Sequence, residues 1–221
     1  MVKYRDRSVI LMTLNYPNGQ HYSQKQSTTF KAKHKSPSRI VYGNRGMTLE
    51  QEINDSNQYY LEREIAVIHK KPIPIQIVDV DYPKRSAAVI KKAYFKTPST
   101  TDYNGIYRGY YLDFEAKETK NKTAFPLSNF HDHQIKHMKA CEKQHGICFT
   151  IVRFVSQDEL YLMPTSLLFN YWDNQAHGRK SIPKKEIEDV SFKIEYSLQP
   201  RIPYLKAVDL LINQIEGDNN E

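Results

Sequence analysis

Cysteine is nearly absent from this chain of 221 residues. Cys141 and Cys148 alone cannot build a disulfide framework or a cysteine-rich zinc site, so both read as reduced, packed thiols. Long apolar runs are missing too. No stretch approaches the ~18 consecutive apolar residues that a membrane span needs. Val9-Ile10-Leu11-Met12, behind Lys3, Arg5 and Arg7, is shorter than a secretory h-region and lacks a small-residue cleavage site. The expected setting is cytoplasmic, with no membrane partner. No internal repeat is visible. Acidic residues are scarce over the first 45 positions, where Asp6 stands alone against nine Lys and Arg.

What is present starts with that imbalance. The chain carries 32 Lys+Arg against 25 Asp+Glu, a net +7. The excess lies wholly in residues 1–45, which also lack amphipathic period and are rich in Gln, Ser, Thr and Asn. A flexible basic arm is expected over 1–45, a folded domain over 46–216 and a short tail over 217–221. Tyr16, Tyr22, Phe30 and Tyr42 punctuate the arm. Such a segment suits a phosphate backbone, whose counterions it would release on binding. A solubilising tail is the equal alternative. Residues 70–96 are basic again, with Lys70, Lys71, Lys84, Arg85, Lys91, Lys92 and Lys96 against Asp79 and Asp81. Two separate basic regions make nucleic acid the leading partner.

Along the body, Thr48-Leu49-Glu50-Gln51 predicts a capping box opening a helix over about 49–62. Ile65 to Ile68 reads as a strand. Pro72 and Pro74 exclude a helix or a central strand, and Ile73, Ile75 and Ile77 alternate as on one face of an edge ribbon. Ser86 to Phe95 is ambiguous between strand and helix. Residues 101–117 read as a hairpin, and Asn129 to Lys143 as a helix stopped at Gly146. Ile147–Val155 and Glu159–Met163 read as strands, Leu167–Trp172 as helical and 183–190 as a short turn. A closing helix starts near Pro203. This order indicates a mixed α/β domain, not a doubly wound parallel sheet.

The chemistry concentrates between Thr100 and Lys117. On a strand, Glu115 and Lys117 project from one face about 6.5–7 Å apart, leaving Phe114 and Ala116 to face the core. A hairpin turning on Arg108-Gly109 sets Asp102 opposite Glu115, with Cβ atoms roughly 4.5–5.5 Å apart. Two such carboxylates repel unless a cation lies between them, and hard oxygen donors suit Mg²⁺. A lysine beside that cation can offset developing phosphorane charge. Asn104-Gly105 is by itself the stronger two-residue turn signal and would pair Asp102 with Tyr107 instead. The Arg108-Gly109 turn is preferred because it gives the charged face a purpose. His131 and His133 would lie about 200° apart around a helix, too far round to share one ion.

The strings around these residues carry a resemblance. Asn44-Arg45-Gly46-Met47, Ile65 to Pro72, Tyr82-Pro83-Lys84-Arg85-Ser86, Thr100 to Gly105, Asp113 to Lys120 and Asn129 to Gln134 are similar to the RecU family of bacterial Holliday junction resolvases. The likeness runs from about Asn44 to Leu211. It implies a restriction-endonuclease-like PD-(D/E)xK fold: a mixed β-sheet core flanked by helices, with a projecting β stalk at about 70–96. It implies a homodimer and symmetrical, Mg²⁺-dependent nicking of four-way junction DNA in recombination and repair, with Mn²⁺ as the alternative ion. By position, it assigns metal ligation to Thr100, Asp102, Glu115 and Gln134, and transition-state stabilisation to Lys117. Gln134 comes from the resemblance alone. The stalk would present Tyr82, Lys84 and Arg85 to the junction, with Lys70 and Lys71 as further DNA contacts. The family is also credited with strand annealing and with modulating RecA, which joins the branch-migration machinery as an expected partner. The alternatives are a sequence-specific nuclease of the same fold and a non-catalytic annealing or recombinase-modulating protein.

Overall fold

The computed structural model describes residues 47–84, 88–96 and 99–218. The expected N-terminal arm and Arg85 lie outside the described residues. Helix α1 (Leu49–Glu62) opens on the expected capping box: Gln51 N–H donates to Thr48 Oγ1, and Thr48 N–H donates to Gln51 Oε1. It buries Leu49, Ile53 and Tyr60 and stops at Arg63, before Glu64 at φ 56°. The strands are β1 (Val67–Lys70), β2 (Ile75–Asp81), β3 (Val89–Phe95), β4 (Tyr103–Tyr107), β5 (Tyr110–Thr119), β6 (Ala124–Pro126), β7 (Ile147–Phe154), β8 (Glu159–Pro164), β9 (Ser181–Pro183) and β10 (Phe192–Ile194). The remaining helices are α2 (Asp132–Glu142), α3 (Thr165–Asn174), α4 (Lys184–Val190) and α5 (Leu205–Asp218).

Among the described residues, six strands make one sheet in the order β1-β4-β5-β7-β8-β10. Every pairing is antiparallel except β5 with β7, where Glu115 stands beside Thr150 and Lys117 beside Val152. That parallel pair needs a long crossover, which β6, a 3-10 turn at Leu127–Asn129 and α2 supply. The sheet is mixed, as expected. Alternation along β5 and β7 sends Leu112, Phe114, Phe149 and Ile151 to one core, with residues of α1 and α5. Cys148, Val152 and Phe154 go to a second core on the opposite face, with α2, α3 and α4.

Burial on both faces departs from the expectation of a charged outer face on β5. Asp113 and Glu115 are as fully buried as Phe114, because α2 covers the side that carries the acids. On the other face, Tyr103, Phe114 and Phe149 stack across three adjacent strands at 4.8 and 4.7 Å. Each such ring pair adds about 0.5–1.5 kcal/mol beyond simple burial. An ionic tie links β7 to α1. Arg153 on β7 bonds Glu52 (2.8 Å) and Glu118 (2.6 Å), and Arg201 reaches Glu52 at 2.8 Å.

Residues 77–94 belong to a separate compact unit, in which β2 and β3 pair as a two-stranded sheet. The ambiguous stretch after Ser86 is thus strand from Val89 onward. Of the expected apolar face of Ile73, Ile75 and Ile77, Ile73 lies before β2, and all three are exposed. Pro72 and Pro74 lie between β1 and β2 and not within the ribbon. The start of α2 also differs from expectation. It begins at Asp132 and not Asn129, because Leu127–Asn129 winds as a 3-10 turn.

Candidate active site

The β4–β5 hairpin sets the geometry. Arg108 and Gly109 take φ 51° and 87°, the left-handed pair that matches strand twist in a two-residue turn. The register follows: Tyr103 faces Phe114 and Asn104 faces Asp113. Asp102 is the next residue back from that ladder, on the loop that leads into β4. Asn104-Gly105, the competing turn signal, is strand instead. A Cβ on Gly105 would lie 2.1 Å from the Val67 carbonyl oxygen, so glycine is there to let β1 approach β4. The Asp102 carbonyl accepts the Lys71 N–H at 2.7 Å. Asp102 itself is half-buried.

Glu115 is 0% exposed. Its Oε2 accepts a hydrogen bond from Gln134 Nε2 at 2.7 Å. Its Oε1 lies 3.0 Å from Lys117 Nζ but receives no properly directed hydrogen bond. Burial, and then the neighbouring Asp102 carboxylate, push the Glu115 carboxyl up to about 9, against the opposing pull of Lys117. Such a group stays neutral at pH 7 unless positive charge arrives. A buried Glu115 oxygen without a donor, beside the Asp102 carboxylate, is a hard oxygen pair that fits a divalent cation, whereas the Gln134 amide turns its nitrogen and not its oxygen to Glu115. The Thr100 hydroxyl donates to the Thr101 carbonyl at 3.2 Å, which leaves its lone pairs free. Gln134 Oε1 accepts the His131 N–H at 2.9 Å, so this side chain both caps α2 and reaches the acid.

His131 is the residue capping α2, not a member of the helix. The expected 200° separation from His133 is therefore not found. Their rings stack 5.5 Å apart, within 9° of parallel. Burial, His131 and Lys117 depress the His133 pKa, which keeps the ring neutral at pH 7.

Two residues before Glu115 on β5 lies a second polar cluster that was not expected from the sequence. Asp113, His137 and Cys141 place ligand atoms within 4.8 Å of one another. They share a helix face and a strand face with Gln134 and Glu115, since His137 follows Gln134 by three and Asp113 precedes Glu115 by two. That alternation along β5 was the available signal. The cation among them is already a protein group: Lys71 Nζ sits 2.7 Å from Asp113 Oδ2 and 3.4 Å from His137 Nε2. Burial raises the pKa of both thiols, so neither Cys141 nor Cys148 is an activated nucleophile.

The residues expected to touch DNA divide. Tyr82 (69% exposed) and Lys84 are open to solvent. Lys70 pairs with Glu50 near the start of α1. Lys71 is turned inward, its side chain 17% exposed.

The RecU family, described as Recombination protein U, matches residues 44–210. A protein of Ligilactobacillus salivarius named Holliday junction resolvase RecU is 63% identical over 210 residues, covering 91% of this chain and 99% of that protein. Proteins of the same name from Lactiplantibacillus plantarum and Limosilactobacillus reuteri are 64% and 60% identical. They cover 92% and 91% of this chain, and each match spans 98% of the relative.

Proposed function

This chain belongs to the RecU family, and on that premise we propose that it is a Mg²⁺-dependent, structure-selective endodeoxyribonuclease that resolves Holliday junctions. The observation that carries the reading is Glu115: a fully buried carboxylate beside Asp102, one oxygen held by Gln134 and the other facing Lys117. A protein does not keep that arrangement for stability, since burying one acid against another costs free energy.

Asp102 and Glu115, with Thr100 and Gln134, would hold the ion. When bound, Mg²⁺ (or Mn²⁺) polarises the scissile phosphate and acidifies an attacking water. Lys117, on the same strand face as Glu115, offers its ammonium to the charge that builds on the phosphoryl oxygens. The Gln134 amide holds the Glu115 carboxylate by Oε2, which fixes where Oε1 points.

Resolution needs two matched nicks in opposed strands, and residues 46–216 supply one such site. A two-fold homodimer provides the second. The ribbon at 70–96 acts as the junction reader, presenting Tyr82 and Lys84 with Arg85. No helix among the described residues is long and apolar enough to cross a membrane. The deciding experiment incubates purified protein with a four-way junction and with linear duplex of the same sequence, each with and without Mg²⁺. Paired nicks in the junction alone, and only with Mg²⁺, are expected. Equal cutting of the duplex would point to a sequence-specific nuclease, and no cutting of either to a non-catalytic annealing protein.

A further inference from the structure

Lys71 stands in a basic stretch, yet its ammonium is engaged inside the protein. It donates to Asp113 Oδ2 at 2.7 Å and to Thr101 Oγ1 at 2.9 Å. Its backbone N–H donates to the Asp102 carbonyl at 2.7 Å. One residue therefore grips the loop before β4 twice, at Thr101 and at Asp102, and anchors it to β5 at Asp113. Asp113 is fully buried and fully partnered. Its Oδ2 also accepts from the Tyr111 hydroxyl at 2.9 Å and faces His137 Nε2 at 3.1 Å, and its Oδ1 accepts from the Thr101 hydroxyl.

The consequence lies close by on each side. Thr101 adjoins both Thr100 and Asp102. Asp113 is two residues before Glu115 on the same strand face. The loop carrying Asp102 is not part of the ladder beyond Tyr103, so strand pairing does not fix where the Asp102 carboxylate stands beside Glu115. Bonds from outside the ladder must place that loop, and Lys71 supplies two of them. Lys71 bonds the neighbours of both acids through its side chain and leaves their carboxylates free.

We propose that Lys71 is a positioning residue, not a DNA contact: through Thr101 and Asp113 it holds Asp102 at the distance from Glu115 that a divalent cation requires. This deepens the metal-nuclease reading and rests on it. By the same geometry Asp113, His137 and Cys141 take no metal ion of their own, since the Lys71 ammonium already sits among them. Helix α2 braces the arrangement, with Gln134 on Glu115 and His137 on Asp113.

Three full-length variants test the proposal. Lys71→Met removes the ammonium and keeps most of the stem. Lys71→Met/Asp113→Asn removes both charges, so that no unpaired acid is left buried. Thr101→Val keeps the ion pair and the Lys71 backbone bond to Asp102, and cuts the side-chain bonds from Thr101 to Lys71 and to Asp113. Each is measured for Mn²⁺ affinity by calorimetry without DNA, for melting temperature, for junction affinity in Ca²⁺, and for cleavage as a function of Mg²⁺. The expected result is a loss of about tenfold or more in Mn²⁺ affinity in the two lysine variants, and a smaller loss in Thr101→Val. Cleavage kcat falls and is partly restored by added Mg²⁺, while KM and affinity for the junction stay within about twofold. Parental Mn²⁺ affinity in any folded lysine variant would overturn the proposal. So would a loss of junction affinity with a salt dependence flattened by about one log–log unit, which is the mark of a lost phosphate contact. If the parent protein itself neither binds Mn²⁺ nor cleaves, the functional reading fails first and this inference falls with it.

Discussion

Strands β5 and β2 invert one another. β5 carries Asp113, Glu115 and Lys117, and these two of its three acids are wholly buried between the sheet and α2. β2 carries Ile75, Ile77 and Val78, and all three are exposed. Either placement costs free energy taken alone: an acid loses hydration, and apolar surface stays in water. The contrast points to two different absent partners. Under the proposed function, Glu115, the one of the two without a full set of partners, would take a small, highly charged ligand. On the same reading, the exposed apolar and aromatic residues of the basic ribbon (Tyr82, Tyr94, and Phe95 at 81% exposure) would meet a large one, such as unstacked bases between phosphates.

Removing the acids Asp102 and Glu115 should give the largest effect. Asp102→Asn with Glu115→Gln should lower junction nicking by roughly 10³-fold or more, while junction affinity measured in Ca²⁺ stays within about twofold. Single-turnover cleavage assays and gel-shift titrations check both halves. Changes on the exposed ribbon should invert that profile. Lys84→Ala with Arg85→Ala should weaken junction binding by about tenfold, on the order of 1.4 kcal/mol, with duplex binding nearly unchanged. An equal loss on duplex would reduce the ribbon to a general phosphate contact. Deleting residues 1–43 should be milder still. It should flatten the salt dependence of binding on all DNA shapes by close to one log–log unit per lost contact, and an unchanged slope would identify the arm as a solubilising tail.

The smallest effect is on stability and concerns Glu115 alone. Its folded pKa is raised from 4.5 to about 9, by burial and by Asp102. Between those two values the native state binds the extra proton, so stability attributable to this group falls as pH rises through that window. Glu115→Gln should raise the metal-free melting temperature at pH 8 by a few degrees, about 2–4 °C per kcal/mol relieved, with little change at pH 5. Added Mg²⁺ should stabilise the parent and not the variant. A variant less stable than the parent at pH 8 would contradict the placement of that charge.

Local physics was legible in the sequence where it acted over a few residues. Thr48 and Gln51 marked the start of α1, and the hairpin turning on Arg108-Gly109 stands as expected. The Asn104-Gly105 signal misleads because glycine is needed there for a different reason. A side chain on Gly105 would collide with the Val67 carbonyl oxygen, and β1 and β4 meet only once the sheet is assembled. Gln134 was not legible from the residues because a 3-10 turn displaces the start of α2, which hid its capping position. The inward turn of Lys71 was hidden for another reason. A lysine in a basic stretch reads as solvent-facing, and only the parallel pairing of β5 with β7, with α2 laid over it, encloses Asp113 and draws the ammonium in.

If the divalent cation belongs at Asp102 and Glu115, while Lys71 takes its place at the neighbouring Asp113, His137 and Cys141, then manganese should distinguish the two clusters. The decisive measurement is anomalous scattering from a crystal of the full-length protein soaked in Mn²⁺. A peak within coordination reach of the Asp102 and Glu115 carboxylates, and none at Asp113, is the expected result. A peak among Asp113, His137 and Cys141, with Lys71 displaced, would contradict it.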